Sequence, residues 1–305
     1  MDSLSASEYS HALGLIKKSQ QNIDAMFSET RLLNLETAMS VVEDIYTSVI
    51  QNAGALMSFL RFNRQGDMHA IAVCSLMIAL AKALQLSETE IKQAGLAGLM
   101  HDVGKVLLPS ELLNKPSRLT DEEYALVMTH PEKGYHLLLQ AGIADPVTLD
   151  VCMHHHEKID GTGYPKNLTK DEIGMFVKMA AVCDVYDAIA ITRPYKLGWG
   201  AVKSFESMLR WEGHFDQEIL DAFVQSVIAH PVGSIVLLKS DRLAVVVNQS
   251  VKDIFKPIVK VFFSIKTKDF VSQEYLDLSD PEVLDEIIEQ GADSAWELDD
   301  FKQIW

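Results

Sequence analysis

Seven side chains in this sequence have the types and the order of a metal centre. His101 and Asp102 are adjacent, with Lys105 three residues on, and His155 and His156 are adjacent just ahead of a Gly161-Thr162-Gly163-Tyr164-Pro165 turn. His69, His130 and Asp184 stand singly between and around them. Hydrolysing a phosphodiester near neutral pH needs an activated water and neutralisation of the charge that develops on the phosphorus oxygens. Two divalent cations about 3.5–4 Å apart supply both. Holding such a pair takes several imidazoles and a carboxylate able to bridge, and His69, His101, Asp102, His130, His155, His156 and Asp184 make up that inventory. Mixed nitrogen and oxygen ligands suit Fe, Mn, Ni or Zn better than Ca or Mg. Taken singly, each histidine also fits a hydrogen-bonded core position or a helix-end cation. The adjacent pair points further, because neighbours on a helix project about 100° apart and can serve two different ions.

The elements that must position these residues are mostly helical. From Ser7 to about Arg61 apolar residues such as Val41, Val42, Ile45, Val49 and Ile50 recur at three- and four-residue steps, an amphipathic lead-in that predicts packing against a core or another helix. Ser87 with Glu90, Thr120 with Glu123 and Thr169 with Glu172 have the spacing of reciprocal capping boxes, and Asp145-Pro146 adds a fourth helix start. Residues from about 67 to 230 are therefore expected to be nearly all helix, with the ligands near helix ends or on inward faces. After His230-Pro231 the period changes. Ser234–Leu238 and Leu243–Val247 predict hairpin strands, Ile258–Ile265 a third strand, and Pro281–Gln290 a short closing helix. The expected fold class is mainly α: a helical bundle with an N-terminal helical region (1–65), a catalytic domain (66–230) and a small C-terminal β-containing region (231–305).

Bulk properties narrow the function. With 305 residues and 48% hydrophobic composition the chain can bury a sizeable core. The longest mainly apolar run, Ala70 to Ala81, is too short to span a bilayer, and the N-terminus has no basic-then-apolar signal pattern, so a cytoplasmic protein is expected. Cys74, Cys152 and Cys183 lie in apolar helical patterns without Cys-x-x-Cys spacing and read as reduced core thiols. A formal charge of -16 argues against nucleic acid or anionic membrane as a partner, since both need a basic face. An anionic small substrate remains compatible, because bound cations dominate the local field of a pocket. The acidic run from Glu274 to Asp300 reads as a solvated face.

The ordered set of motifs resembles the HD-GYP family of phosphodiesterases, within the HD superfamily of metal-dependent phosphohydrolases. It runs from His69 through His101-Asp102-x-Gly104-Lys105, Leu113-Asn114-Lys115-Pro116, His130-Pro131, His155-His156-Glu157 with Gly161-x-Gly163-Tyr164-Pro165, and Asp184, to Arg193-Pro194-Tyr195, over about residues 40 to 250. The resemblance implies an all-helical HD core and hydrolysis of a bacterial cyclic dinucleotide, chiefly cyclic di-GMP, to linear pGpG or GMP. Carried over by motif, the seven residues above are the ligands of a binuclear centre, with Asp102 bridging two ions and a bridging hydroxide attacking phosphorus in line. Lys105 is then a catalytic and phosphate-binding residue, and Arg193 and Lys196 are phosphate contacts, Arg by its bidentate fork. Tyr164 becomes a substrate-recognition candidate, and the loop that bears it a docking point for GGDEF-type diguanylate cyclases. Outside any motif, Lys105 would simply neutralise nearby acids. His154 falls off the ligand spacing, and His11, His136, His214 and His230 match no ligand position.

Two departures stand out. Thr192 occupies a position where relatives often carry an acid. Relatives with three metals place a Glu four residues before the first His, where this chain has Gln65, so two metals are expected; Asp67 would face another side of a helix. The sequence leaves open another cyclic dinucleotide such as 3′3′-cyclic GMP-AMP as substrate, a non-catalytic cyclic-dinucleotide receptor or docking module, and a nucleotide phosphohydrolase of the wider HD superfamily. The last explains His101-Asp102 but not the His-His-Glu and Gly-Tyr-Pro elements. The lead-in helix also makes a homodimer possible.

Overall fold

A computed structural model describes residues 34–62, 68–115, 117–190, 201–226, 235–248 and 256–290, together with Gly14 and Ser250. Helix α1 (Leu35–Phe62) starts where Asn34 Oδ1 accepts the Thr37 N–H at 3.0 Å. Its buried residues Ala38, Val41, Val42, Ile45 and Val49 keep the three- and four-residue step and enter the same core as the helices that follow. Helix α2 (His69–Ala83) is buried on all sides from Ile71 to Ala81, which explains its near-continuous apolar run: it is the central helix of the bundle. Ser75, its one polar interruption, donates to the Ile71 carbonyl at 2.7 Å.

Helix α3 (Glu88–Met100) opens on the Ser87/Glu90 capping box and runs straight into His101 and Asp102. A 3₁₀ helix, Val103–Leu107, carries the chain away, followed by the short α4 (Ser110–Leu113) and by α5 (Asp121–Val127) on its Thr120/Glu123 capping box. Helix α6 (His130–Gln140) has a proline in its first turn, and α7 (Pro146–His154) is capped by Asp145, whose carboxylate accepts the Thr148 N–H at 2.8 Å. After a long irregular stretch come α8 (Met175–Ala190), α9 (Ala201–Arg210) and α10 (Gln217–Ser226).

Residues 155–174 depart from the expectation of nearly unbroken helix. Thr169 and Glu172 do bond, with Glu172 Oε2 accepting from the Thr169 N–H at 2.9 Å, but they close one turn rather than start a helix. Thr169 is held in a β-bridge to Asp160, and Ile173 turns into the core, so α8 begins only at Met175.

The C-terminal part is a five-stranded antiparallel sheet in the order β4-β3-β2-β1-β5. Strands β1 (Ile235–Leu238), β2 (Arg242–Asn248) and β3 (Ile258–Ser264) fall where the alternation predicts them. Val236, Leu238, Ala244, Val246, Val259 and Val261 cover one face; Leu243, Val245, Phe262 and Phe263 cover the other, with a register shift at Val261/Phe263 putting both phenylalanines on one side. Strand β4 (Asp269–Asp277) is polar and largely exposed, so no apolar alternation marks it in the sequence. The closing helix over Pro281–Gln290 is not formed: Ile287–Gln290 is β5, which covers the open edge of β1. Among the described residues, no helix is long and apolar enough to cross a membrane.

Candidate metal centre

The seven residues selected from the sequence converge on one point. His69 comes from the first position of α2, His101 and Asp102 from the exit of α3, His130 from the first position of α6, His155 and His156 from just past α7, and Asp184 from the middle of α8. Their side chains form two donor groups that share a carboxylate: His69, His101, Asp102 and Asp184 in one, Asp102, His130, His155 and His156 in the other. Asp102 divides its oxygens between them. Oδ2 lies 3.4 Å from His69 Nε2 and 3.3 Å from His101 Nε2, while Oδ1 lies 3.2 Å from His130 Nε2 and 3.5 Å from His155 Nε2. Asp184 reaches both sides too, with Oδ1 at 3.0 Å from His69 Nε2 and Oδ2 at 3.7 Å from His156 Nδ1.

One backbone detail makes this convergence possible. A Cβ on Gly104 would stand 2.0 Å from the His130 carbonyl oxygen and 2.5 Å from the Gly134 nitrogen. Only a residue without a side chain lets the 3₁₀ helix lie against α6, and that approach brings Asp102 to His130.

The rings are oriented from behind. His101 Nδ1 is 2.8 Å from the Gly98 carbonyl, His130 Nδ1 2.8 Å from that of Val127, and His155 Nδ1 3.1 Å from that of Val151. With Nδ1 donating outward, each Nε2 presents a lone pair inward. His130 Nε2 and His155 Nε2 consequently face one another at 3.4 Å, and two buried polar atoms, His101 Nε2 and Asp102 Oδ1, have no hydrogen-bond partner. Unpartnered buried polar atoms are costly, and a cation held between neutral imidazoles and carboxylates satisfies them, so the donor set fits a metal.

The field is uneven across the centre. Burial works against the Asp102 carboxylate, but the Lys105 ammonium and the His101 ring outweigh it and hold the group well below the usual carboxylate range. Asp184 is held down likewise, by His101 and His69. Burial opposes protonation of His101 as well, yet Asp102 and Asp184 raise it to about 9, and the three acids around His69 raise that ring well above its ordinary value. On the other side burial pushes His155 down to about 4 and holds His156 well below its ordinary value, leaving both as neutral donors.

Lys105 pairs with Asp102 Oδ2 at the edge of the cluster, its side chain about one-third exposed at 34%. Tyr164 stacks on the His156 ring at 4.7 Å, and Tyr124 meets Tyr164 edge-on at 6.5 Å. Arg193, Lys196, Gln65 and Asp67 lie outside the described residues, as do His11 and His230. His154 turns away to Asp150 at 2.8 Å, His136 is exposed, and His214 stacks on Phe215, none of them in the cluster.

Three residues have roles that the sequence does not disclose, although two of them, Glu157 and Gly104, stand within its motifs. Asp187, one turn beyond Asp184, lies 2.6 Å from His69 Nδ1; the three-residue spacing of the two acids was the available signal. Glu157 is 2% exposed and is no ligand. Its carboxylate accepts the backbone N–H groups of Lys166 at 2.6 Å and Leu168 at 3.0 Å, which pins the loop bearing Tyr164 and the cis Tyr164-Pro165 bond. Gly104 is the third, and its requirement shows only once α6 is in place.

The HD domain family profile matches residues 44–219. A protein of Pseudomonas aeruginosa named as a cyclic di-GMP phosphodiesterase is 41% identical over 304 residues, covering 98% of this chain and 73% of that protein. A cyclic di-GMP phosphodiesterase response regulator of Xanthomonas campestris pv. campestris is 34% identical over 153 residues, 48% of this chain and 39% of its own. In structure, an HD-GYP-type protein of Bdellovibrio bacteriovorus superposes with a TM-score of 0.59 at 19% identity, over 74% of each chain, and so shares the fold. The chain belongs to the HD domain family, and it carries the His-Asp and Gly-Tyr-Pro motifs set out above.

Proposed function

We propose that this centre hydrolyses cyclic di-GMP, opening one phosphodiester to give linear pGpG and, after a second cut, GMP. The observation that carries this is the placement of Asp102, one carboxylate oxygen toward each histidine group and Lys105 beside it. The relationship to the Pseudomonas aeruginosa phosphodiesterase over nearly the whole chain supports it. His69, His101, Asp102 and Asp184 would hold one divalent transition-metal ion, and Asp102, His130, His155 and His156 a second; Fe, Mn, Ni and Zn all suit such donors. When bound, such ions supply a nucleophilic water at neutral pH and neutralise phosphoryl charge.

The chain's own residues do the rest. Asp102 and Asp184 stay ionised at any physiological pH, and His155 and His156 stay neutral, so these four need no proton adjustment. Lys105 has three N–H donors and sits at the exposed rim, where an ammonium can swing from Asp102 to a non-bridging phosphate oxygen and stabilise the charge that grows there. Tyr164, fixed by Glu157 and stacked on His156, walls the pocket and offers an apolar face toward the dinucleotide. Arg193 and Lys196 add phosphate contacts from the segment after α8. In this reading residues 66–230 are the catalytic unit, braced by α1, and 231–305 an appendage. The Gly-Tyr-Pro loop is the surface for GGDEF-type cyclases, α1 that for a homodimer, and the compartment is the cytoplasm.

The test is incubation of chelator-free protein with cyclic di-GMP and added Mn²⁺ or Fe²⁺, products resolved by chromatography and bound metal counted. Metal-dependent pGpG or GMP, absent in His101→Ala and Asp102→Ala, is the expected result. Faster cleavage of 3′3′-cyclic GMP-AMP would change the substrate, and binding without turnover under every metal would make the protein a receptor.

A further inference from the structure

His69 is held differently from its neighbours. His101, His130 and His155 each turn Nδ1 to a carbonyl three or four residues earlier in the chain. His69 stands at the first position of α2. Its Nδ1 instead lies 2.6 Å from Asp187 Oδ2, from a residue 118 positions away on α8. Asp187 is 1% exposed, and a carboxylate is not buried without reason: it needs a hydrogen-bonded or charged partner to offset its lost hydration. On the opposite side of the same ring, Nε2 is 3.0 Å from Asp184 Oδ1 and 3.4 Å from Asp102 Oδ2. His69 is thus clamped between one acid behind it and two acids in the centre.

We propose that Asp187 is a positioning residue of the metal centre: by accepting the Nδ1 proton of His69 it fixes the ring with the Nε2 lone pair inward and strengthens the hold of that donor group on a divalent cation. This rests on the reading of the cluster as a metal centre. A carboxylate behind a ligating imidazole fixes its tautomer and raises its basicity as a ligand. The two donor groups then differ in kind. His130 and His155 are backed by carbonyls of their own chain segments, while His69 is backed by a full negative charge from another helix. Replacing Asp187 therefore weakens the group that contains His69 and leaves the other as it is.

Wild type, Asp187→Ala and Asp187→Asn, stripped of metal, are titrated with Mn²⁺ against a chromophoric chelator. Metal is counted after desalting, electron paramagnetic resonance is recorded on the loaded forms, and metal-free forms are melted by circular dichroism. Wild type should hold two equivalents with an exchange-coupled signal. Asp187→Ala should lose about 10–100-fold in affinity at one site only, keep one equivalent and show an isolated Mn²⁺ spectrum. Asp187→Asn should fall between them, because its amide oxygen still accepts from Nδ1; being nearly isosteric, it carries the test if the alanine variant unfolds. Both variants retaining two equivalents at wild-type affinity would overturn the proposal, as would losses that track only a lowered melt of the metal-free form. A wild type that takes up no metal removes the metal reading itself, and the role of Asp187 with it.

Discussion

The helical bundle and the C-terminal sheet place their polar groups in opposite ways. In the bundle His101, His130, His155, Asp184 and Asp187 are all less than one-tenth exposed and meet at a single point. In the sheet the two buried clusters are wholly apolar, and the main ionic network, Arg242 with Glu274 and Asp285 at 2.6 and 3.0 Å, lies partly in solvent. A buried polar cluster lowers stability unless something binds it, whereas a network at the surface is nearly neutral. The difference marks where the fold gives up stability for a function.

Gly104→Ala should break the bundle side of this contrast most severely. The added methyl meets the His130 carbonyl at 2.0 Å, so about 3 kcal/mol of stability should be lost and Asp102 moved off His130, read as a lower urea midpoint with lower metal content. Glu157→Ala leaves the Lys166 and Leu168 N–H groups without their charged acceptor, and about 2 kcal/mol should go, with Tyr164 released from His156. Substrate KM should rise while metal content holds, and a fall in metal content instead would place Glu157 in the ligand set.

The pH dependence sharpens the same contrast. The folded-state value of His101, about 9, lies above its ordinary 6.5. Its contribution to the metal-free protein is therefore complete below pH 6.5 and lost as pH rises through about 9. A ligating ring must shed that proton, and His69 beside it is raised as well, so apparent metal affinity should climb by at least about tenfold per pH unit across this window. Calorimetry in buffers of different ionisation enthalpy would register the released proton; pH-independent affinity would contradict it. Smallest is Arg242→Ala in the sheet, which should cost at most about 1 kcal/mol by thermal melt and leave cleavage unchanged.

Rare residue types in a fixed order made the seven cluster residues readable in the sequence, and local hydrogen-bonding chemistry did the same for the helix starts at Ser87, Thr120 and Asp145. The central strands showed because both faces are apolar. What stayed hidden depends on partners distant in sequence. Thr169 and Glu172 satisfy a local capping rule, yet the bridge to Asp160 decides their conformation. Strand β4 is mostly exposed, and β5 reads as a helix until β1 offers its edge. Glu157 and Gly104 stand inside the motifs and Asp187 one helical turn beyond Asp184, yet their duties arise from contacts with segments distant in sequence.

The two-sided placement of Asp102 has a consequence for the life of the molecule. The seven cluster residues are drawn from positions 69 to 184, across five helices or their ends, so a metal held there would also be a cross-link that closes several long loops of chain at once. Occupancy stabilises the native state by mass action, and an empty centre leaves a knot of buried, partly orphaned charge. Scarcity of metal would then shorten the protein's survival against proteolysis as well as its turnover, tying the amount of the enzyme to the supply of the ion it uses.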